Sequence, residues 1–213
     1  MEQILVYADS LSWGIIPDTR ERLPFDERWP GGMENELLNK GRKVRVIENC
    51  LNGRRTVWDD PFMEGRNGSQ GLAQVIEMHS PLKLVLLMLG TNDFQCTHDN
   101  NAWLSAQGMV KLIQIIRNAP IEPGMDVPQI LVISPPKITQ PKGSIAFKFS
   151  GAETRDSGLS DELRIIAQEH STLFFDAGSV INASQVDGIH LDEKEHHILG
   201  QEIASFITNE GVV

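Results

Sequence analysis

The feature that most limits how this chain can fold is a rhythm along its length. Short apolar runs rich in β-branched and aromatic residues, at Ile4–Tyr7, Val44–Ile47, Leu84–Leu89, Ile130–Ile133 and Leu173–Phe175, are separated by longer stretches with helical spacing. The helical stretches cover Pro30–Asn39, Gly71–Met78 and Ala102–Arg117, and in the last of these Leu104, Met109, Leu112, Ile113 and Ile116 recur at helical intervals. Another helix opens at Ser160-Asp161-Glu162, with Ser160 as its expected cap, and runs to His170. A final one starts near Asp192 and carries Ile198, Ile203, Phe206 and Ile207. Strand and helix alternating in this way imply parallel strands joined by crossover helices. Strands buried on both faces need no polar alternation, which fits the nearly continuous apolar runs. The expected fold is therefore α/β: a three-layer α/β/α sandwich around a central parallel sheet of about five strands. The length of 213 residues suits a single domain spanning 1–213.

Sheets of this kind bind ligands beyond the carboxyl ends of their strands. The polar residues just after each run are therefore the candidates: Asp9-Ser10, Asn49 to Gly53, Gly90-Thr91-Asn92-Asp93, Ser134 and Asp176, with Asp187 and His190 just before the last helix. Two connections are long for a compact domain. Residues 135–158 hold Ile145, Phe147 and Phe149 alternating with Ala146 and Lys148, which reads as an extended stretch with one apolar face, serving as a lid or an oligomer contact. The charged connection from Asp18 to Trp29 rims the same side.

Several function classes fall away on composition. A formal charge of −10, from 29 acidic and 19 basic residues, repels phosphate backbones, so no nucleic-acid partner is expected. No apolar run approaches the roughly 18 residues of a membrane span, and no basic start leads into a leader-like core, so the expectation is a cytoplasmic protein with no membrane partner. Cys50 and Cys96 lie beside apolar runs and read as small buried hydrophobes. No Cys/His spacing suits zinc, and His196-His197, adjacent on a helix, point about 100° apart. Neither a metal nor any other cofactor is expected.

The chemistry lies in four short blocks. Ser10 follows the first strand directly; a serine there stands at the ligand edge, but its hydroxyl needs a base before it can act as a nucleophile. In Asp187-Gly188-Ile189-His190, a carboxylate three residues ahead of a histidine can turn back to accept the Nδ1–H bond, leaving Nε2 free to take the serine proton. Asn92 after the third strand offers an amide to a developing oxyanion, and Gly53 after the second offers a backbone N–H, with Ser10 supplying its own. Each block alone also has an ordinary reading: helix cap, packing histidine, Asx turn, tight turn. Asp176 is a second candidate for the acid, and Asp9 for bracing the Ser10 loop. Trp13, Trp58 and Asn52 are candidates for the wall of a substrate pocket.

In order and placement the blocks resemble the SGNH, or GDSL, serine hydrolases, a flavodoxin-like family named for the serine, glycine, asparagine and histidine of its four motifs. Here these are Ala8-Asp9-Ser10-Leu11, Asn52-Gly53, Gly90-Thr91-Asn92-Asp93 and Asp187-Gly188-Ile189-His190. Asp9 to Gly14, Asp59-Asp60-Pro61, Met88 to Asp93, Ile133 to Pro136 and Phe175 to Val180 look like a narrower branch of arylesterases and acyltransferases that act on small acyl groups. One departure is Ala8, where the family usually has glycine; an ordinary strand-like φ is expected there. The resemblance implies a serine esterase acting on small-molecule, acetyl-sized esters through an acyl-serine, with acyltransferase or perhydrolase side activity, in a homo-oligomer with a restricted apolar entrance. A catalytically weak ligand-binding module on the same fold is the alternative. The acceptor, whether water, alcohol or peroxide, is left open by the sequence.

Overall fold

The computed structural model describes residues 1–213. Its sheet has five parallel strands in the order β2-β1-β3-β4-β5, formed by β1 (Glu2–Ala8), β2 (Val44–Cys50), β3 (Leu84–Met88), β4 (Gln129–Ser134) and β5 (Leu173–Asp176). The helices are α1 (Ser10–Trp13), α2 (Trp29–Asn39), α3 (Leu72–His79), α4 (Ala102–Arg117), α5 (Ala152–Arg155), α6 (Leu159–Glu169) and α7 (Glu193–Asn209). Helix α2 packs on α7, while α4 packs on α3 and α6, giving the two outer layers of an α/β/α sandwich. One buried apolar cluster of 47 residues runs from Ile4 to Val212 and includes every residue of β3. No helix is long and apolar enough to cross a membrane.

Chain order leaves β1 in opposite directions, first to β2 and then to β3, so the crevice at the carboxyl end of β1 is the topological switch point. Register aligns three of the candidate blocks there. Ala8 pairs with both Cys50 and Met88, so the residues that follow these three positions emerge side by side. Ala8 lies within β1 and is not among the residues with positive φ.

Local differences from the sequence reading have identifiable causes. Helix α6 starts at Leu159 with Gly158 as its cap, at φ 87°, and Ser160 instead donates its hydroxyl to Asp176 Oδ2 at 2.7 Å. Residues 135–158 are not an extended strand. Gly143 at φ 64° opens a 3-10 turn over Gly143–Ile145, and Gly151 at φ 73° leads into α5. Ile145 and Phe149, four apart, turn inward together, while Phe147 is 90% exposed, so the alternating apolar face does not form. Cys50 is half-buried, whereas Cys96 is exposed and not the buried hydrophobe expected.

Candidate active site

The position of Ser10 follows from a short capped helix. Asp9 caps α1: its Oδ1 accepts the Leu11 N–H at 3.0 Å, which leaves Ser10 as the first helical residue. Helix α1 lasts only four residues because Gly14 enters the left-handed region at φ 82°, where an added Cβ would lie 2.5 Å from Arg28 Cδ. Ser10 is 6% exposed, just enough to face the cavity.

Between the cavity and α7, the chain turns sharply at Gly188, φ 80°. A Cβ there would stand 2.3 Å from the Gln140 carbonyl oxygen, so glycine is needed both for the backbone angle and for the close approach. The turn folds Asp187 back beneath His190. Asp187 Oδ1 accepts the N–H groups of Ile189 and His190, each at 2.9 Å, and Oδ2 lies 2.6 Å from His190 Nδ1. The Asp18 N–H adds a longer contact of 3.3 Å to Oδ2. His190 Nε2 is 3.1 Å from Ser10 Oγ. Burial raises the Asp187 pKa, but the hydrogen bond and charge of His190 and the two amides outweigh it, and the carboxyl sits at about 2. Asp187 is therefore a carboxylate over the whole working range, fixing the imidazole with Nδ1 as donor and Nε2 turned to the serine.

Asn92 follows β3, in the 3-10 turn Thr91–Phe94. Its orientation is set by a buried chain of hydrogen bonds. Arg55, fully buried, donates from an Nη atom to Gln95 Oε1 at 2.7 Å; Gln95 Nε2 donates to Asn92 Oδ1 at 2.6 Å; Asn92 Nδ2 donates to Asp9 Oδ2 at 2.8 Å. A guanidinium can only donate, so each amide downstream has one permitted orientation. Asn92 is left with its second N–H unspent. Burial pushes the Asp9 carboxyl up to about 6, against the Leu11 N–H, the His190 charge and the Asn92 amide. The neighbouring Asp93 is likewise pushed to about 6 by burial, although Ser105 and Thr56 donate to it at 2.6–2.9 Å. It ties α4 to the loop after β2.

That loop carries Asn52 and Gly53, the latter at φ 80°. Ser10, Asn52, Gly53, Asn92 and His190 line one cavity of about 80 Å³, together with Ile15, Arg20, Met63, Ile145, Lys148 and Phe149. The backbone N–H groups of Ser10 and Gly53 have no acceptor within the chain and so remain open to an anion at this edge. Other sequence candidates lie elsewhere. Trp13 does not line the cavity; its ring lies 4.7 Å below the Arg22 guanidinium. Trp58 packs near His98, with ring centroids 5.9 Å apart. Asp176 is held by Ser160 and Gly178 and has no bond to His190. The long connections supply parts that the sequence did not single out: Arg20 from the first, Lys148 from the second. Arg55 and Gln95 also carry no motif signal, because their role depends on pairing across 40 residues.

No family model matches the chain. An arylesterase of Vibrio mimicus is 35% identical over 92 residues, a match spanning 43% of this chain and 38% of that relative. Among solved structures, an inhibitor-bound aryl esterase of M. smegmatis superposes with a TM-score of 0.93 at 33% identity, covering 98% of this chain and 99% of that one. A carbohydrate acetylesterase from Sinorhizobium meliloti gives a TM-score of 0.92 at 32% identity, over 99% of this chain and 100% of that one. With sheet order, site blocks and full-length likeness in agreement, the chain belongs to the SGNH, or GDSL, family of ester hydrolases.

Proposed function

We propose that this protein is a serine esterase that cleaves small-molecule esters of acetyl-sized acids through an acyl-Ser10 intermediate. The observation that carries this reading is the unbroken line from Ser10 Oγ to His190 Nε2 at 3.1 Å and from His190 Nδ1 to Asp187 Oδ2 at 2.6 Å, opening on a cavity with unspent N–H donors. His190 takes the Ser10 proton as Oγ attacks the ester carbonyl. The resulting oxyanion is held by the Ser10 and Gly53 N–H groups and the free Asn92 Nδ2–H. Collapse breaks the bond to the alcohol, which leaves with the proton from His190. Water, activated by the same imidazole, then releases the acid and restores Ser10.

The acyl preference rests on space. A cavity of about 80 Å³ is well below the roughly 300 Å³ at which drug-sized pockets begin. Ile145 and Phe149 close its apolar side. Such a narrow entrance also favours transfer of the acyl group to alcohols or peroxide as a side activity. Phe147, 90% exposed beside Lys148, and Phe62, 83% exposed beside Met63, flank the mouth. We assign these to a contact between copies of the chain in a homo-oligomer.

The test is a p-nitrophenyl ester series from acetate to dodecanoate, run beside fluorophosphonate labelling read by mass spectrometry. Fastest turnover of acetate and a single adduct on Ser10 are expected. Faster turnover of long chains would discard the size preference, and an unlabelled Ser10 would discard the mechanism in favour of a binding module.

A further inference from the structure

The chain is strongly acidic, with 29 Asp and Glu against 19 Lys and Arg, yet no carboxylate lines the active-site cavity. The charged residues that do line it, Arg20 and Lys148, are both cationic and both exposed, whereas Ser10, Asn92 and His190 at its inner end are 6%, 3% and 7% exposed. The two come from different connections, the loop after α1 and the segment after β4, so only the fold brings them together. Neither joins any of the ion pairs in the molecule. Arg66 stands just behind, its Nε donating to the Asn52 carbonyl oxygen at 3.0 Å. Desolvation and the charges of Arg55, Arg66 and Arg20 hold the Lys148 amine below its ordinary value, with Asp60 pulling the other way. Asp60 itself is spent on Arg55, at 3.1 Å.

Cations gathered at the mouth of one cleft, with the nearby Asp60 carboxylate already paired to Arg55, repel one another. A cleft also focuses their field outward along the path a ligand takes. Resting on the esterase reading above, we propose that Arg20 and Lys148 are specificity residues that select esters bearing an anionic group, a carboxylate for instance, on the alcohol side. Depth decides the side. The acyl group has to enter the small inner space beside Ser10 and Asn92, while the alcohol projects outward past the two cations.

The test compares kcat/KM for 4-acetoxybenzoate with that for phenyl acetate, two acetates that differ by one carboxylate on the leaving group, in the wild-type protein and in R20Q/K148Q. Exposed ion pairs are each worth roughly 0.2–1 kcal/mol, so two together give a preference of about twofold to about thirtyfold for the anionic ester at low salt. Intrinsic reactivity cancels when the wild-type ratio is divided by the variant ratio. The wild-type ratio is expected to exceed the variant ratio, and that excess to vanish in about 1 M sodium chloride, where the screening length is about 3 Å. A variant ratio equal to the wild-type ratio overturns the proposal.

Binding separates this from failure of the esterase reading. Calorimetry with 4-hydroxybenzoate and phenol needs no turnover. Tighter binding of the carboxylate to wild type, lost in R20Q/K148Q, supports the cationic rim even if neither ester is cleaved. Equal affinity for wild type and variant overturns it.

Discussion

At the scale of single residues, the site is a chain of groups with fixed donor and acceptor roles, and its variants should show it. Ser10→Ala removes the proposed nucleophile, and His190→Ala removes the proposed base that Oγ contacts at 3.1 Å. Each alone should abolish ester turnover while thermal unfolding stays cooperative. The double variant should be no worse than either, because the two act as one unit; additive losses in steady-state rates would contradict this. Gln95→Met tests the relay from Arg55 to Asn92. The oxyanion exists only around the transition state, so a swivelling Asn92 should lower kcat, by about 10-fold or more, and leave KM nearly constant. A loss confined to KM would mean that Asn92 binds ground-state ester. The grouping of Ser10, His190 and Asp187 was legible in sequence because each block is local: Asp187 and His190 are three apart, and Ser10 follows shortly after a recognisable strand. Gln95 was not legible, because Arg55, which fixes its orientation, reaches it from a loop 40 residues earlier, and its nearness to Asn92 alone does not mark it.

At the scale of elements, the strands and the four long helices could be read because a buried parallel strand and an amphipathic helix each impose a period on the sequence. Helix α4 matches its expected span, Ala102–Arg117. Segment 135–158 could not be read in this way. Its apolar residues alternate, but the left-handed glycines at 143 and 151 coil the backbone between them. Spacing by four then decides which side chains go inward, so Phe149 is 4% exposed and Phe147 stays outside. The two phenylalanines should therefore behave differently. Phe149→Ala opens a hole in the core next to the site, at a cost of about 3–5 kcal/mol, and should lower the urea midpoint and loosen acyl selectivity. Phe147→Ser should leave the unfolding free energy within roughly 0.5 kcal/mol of wild type. If Phe147 serves an oligomer contact, light scattering will show the mass fall in that variant alone. Equal destabilisation by the two substitutions would mean that the segment does not hold this conformation in solution.

At the scale of the whole molecule, buried ionisable groups make stability depend on pH in a direction that composition does not reveal. Burial raises Asp9, Asp93 and Asp156 to about 6 from an ordinary 3.8. A carboxyl with a raised folded pKa binds its proton in the native state before the unfolded one, so acidification from about pH 6 to about pH 4 favours folding through all three. His196 opposes them. Burial, with the charges of Arg28 and His190, lowers it to about 3 from 6.5, so the unfolded chain takes up a proton below pH 6.5 that the folded chain refuses. Three groups outweigh one, and relief of the −10 charge adds to the gain. Below about pH 4 the carboxyl gain is complete, while His196 and Asp187, the latter held at about 2, both favour the unfolded chain. Calorimetry should therefore show Tm rising from pH 7 to about pH 5 and turning down below about pH 4. Asp93→Asn should flatten the rise, since it removes one of the three groups. Turnover should move the other way over the same interval. Under the proposed mechanism this follows from Asp9, because a protonated Asp9 is a weaker acceptor for the amide that holds Asn92 in place. A Tm that falls steadily from pH 7 to pH 5 would mean that these carboxyls are solvated in the folded protein, and Asp9 would then no longer hold Asn92 in place.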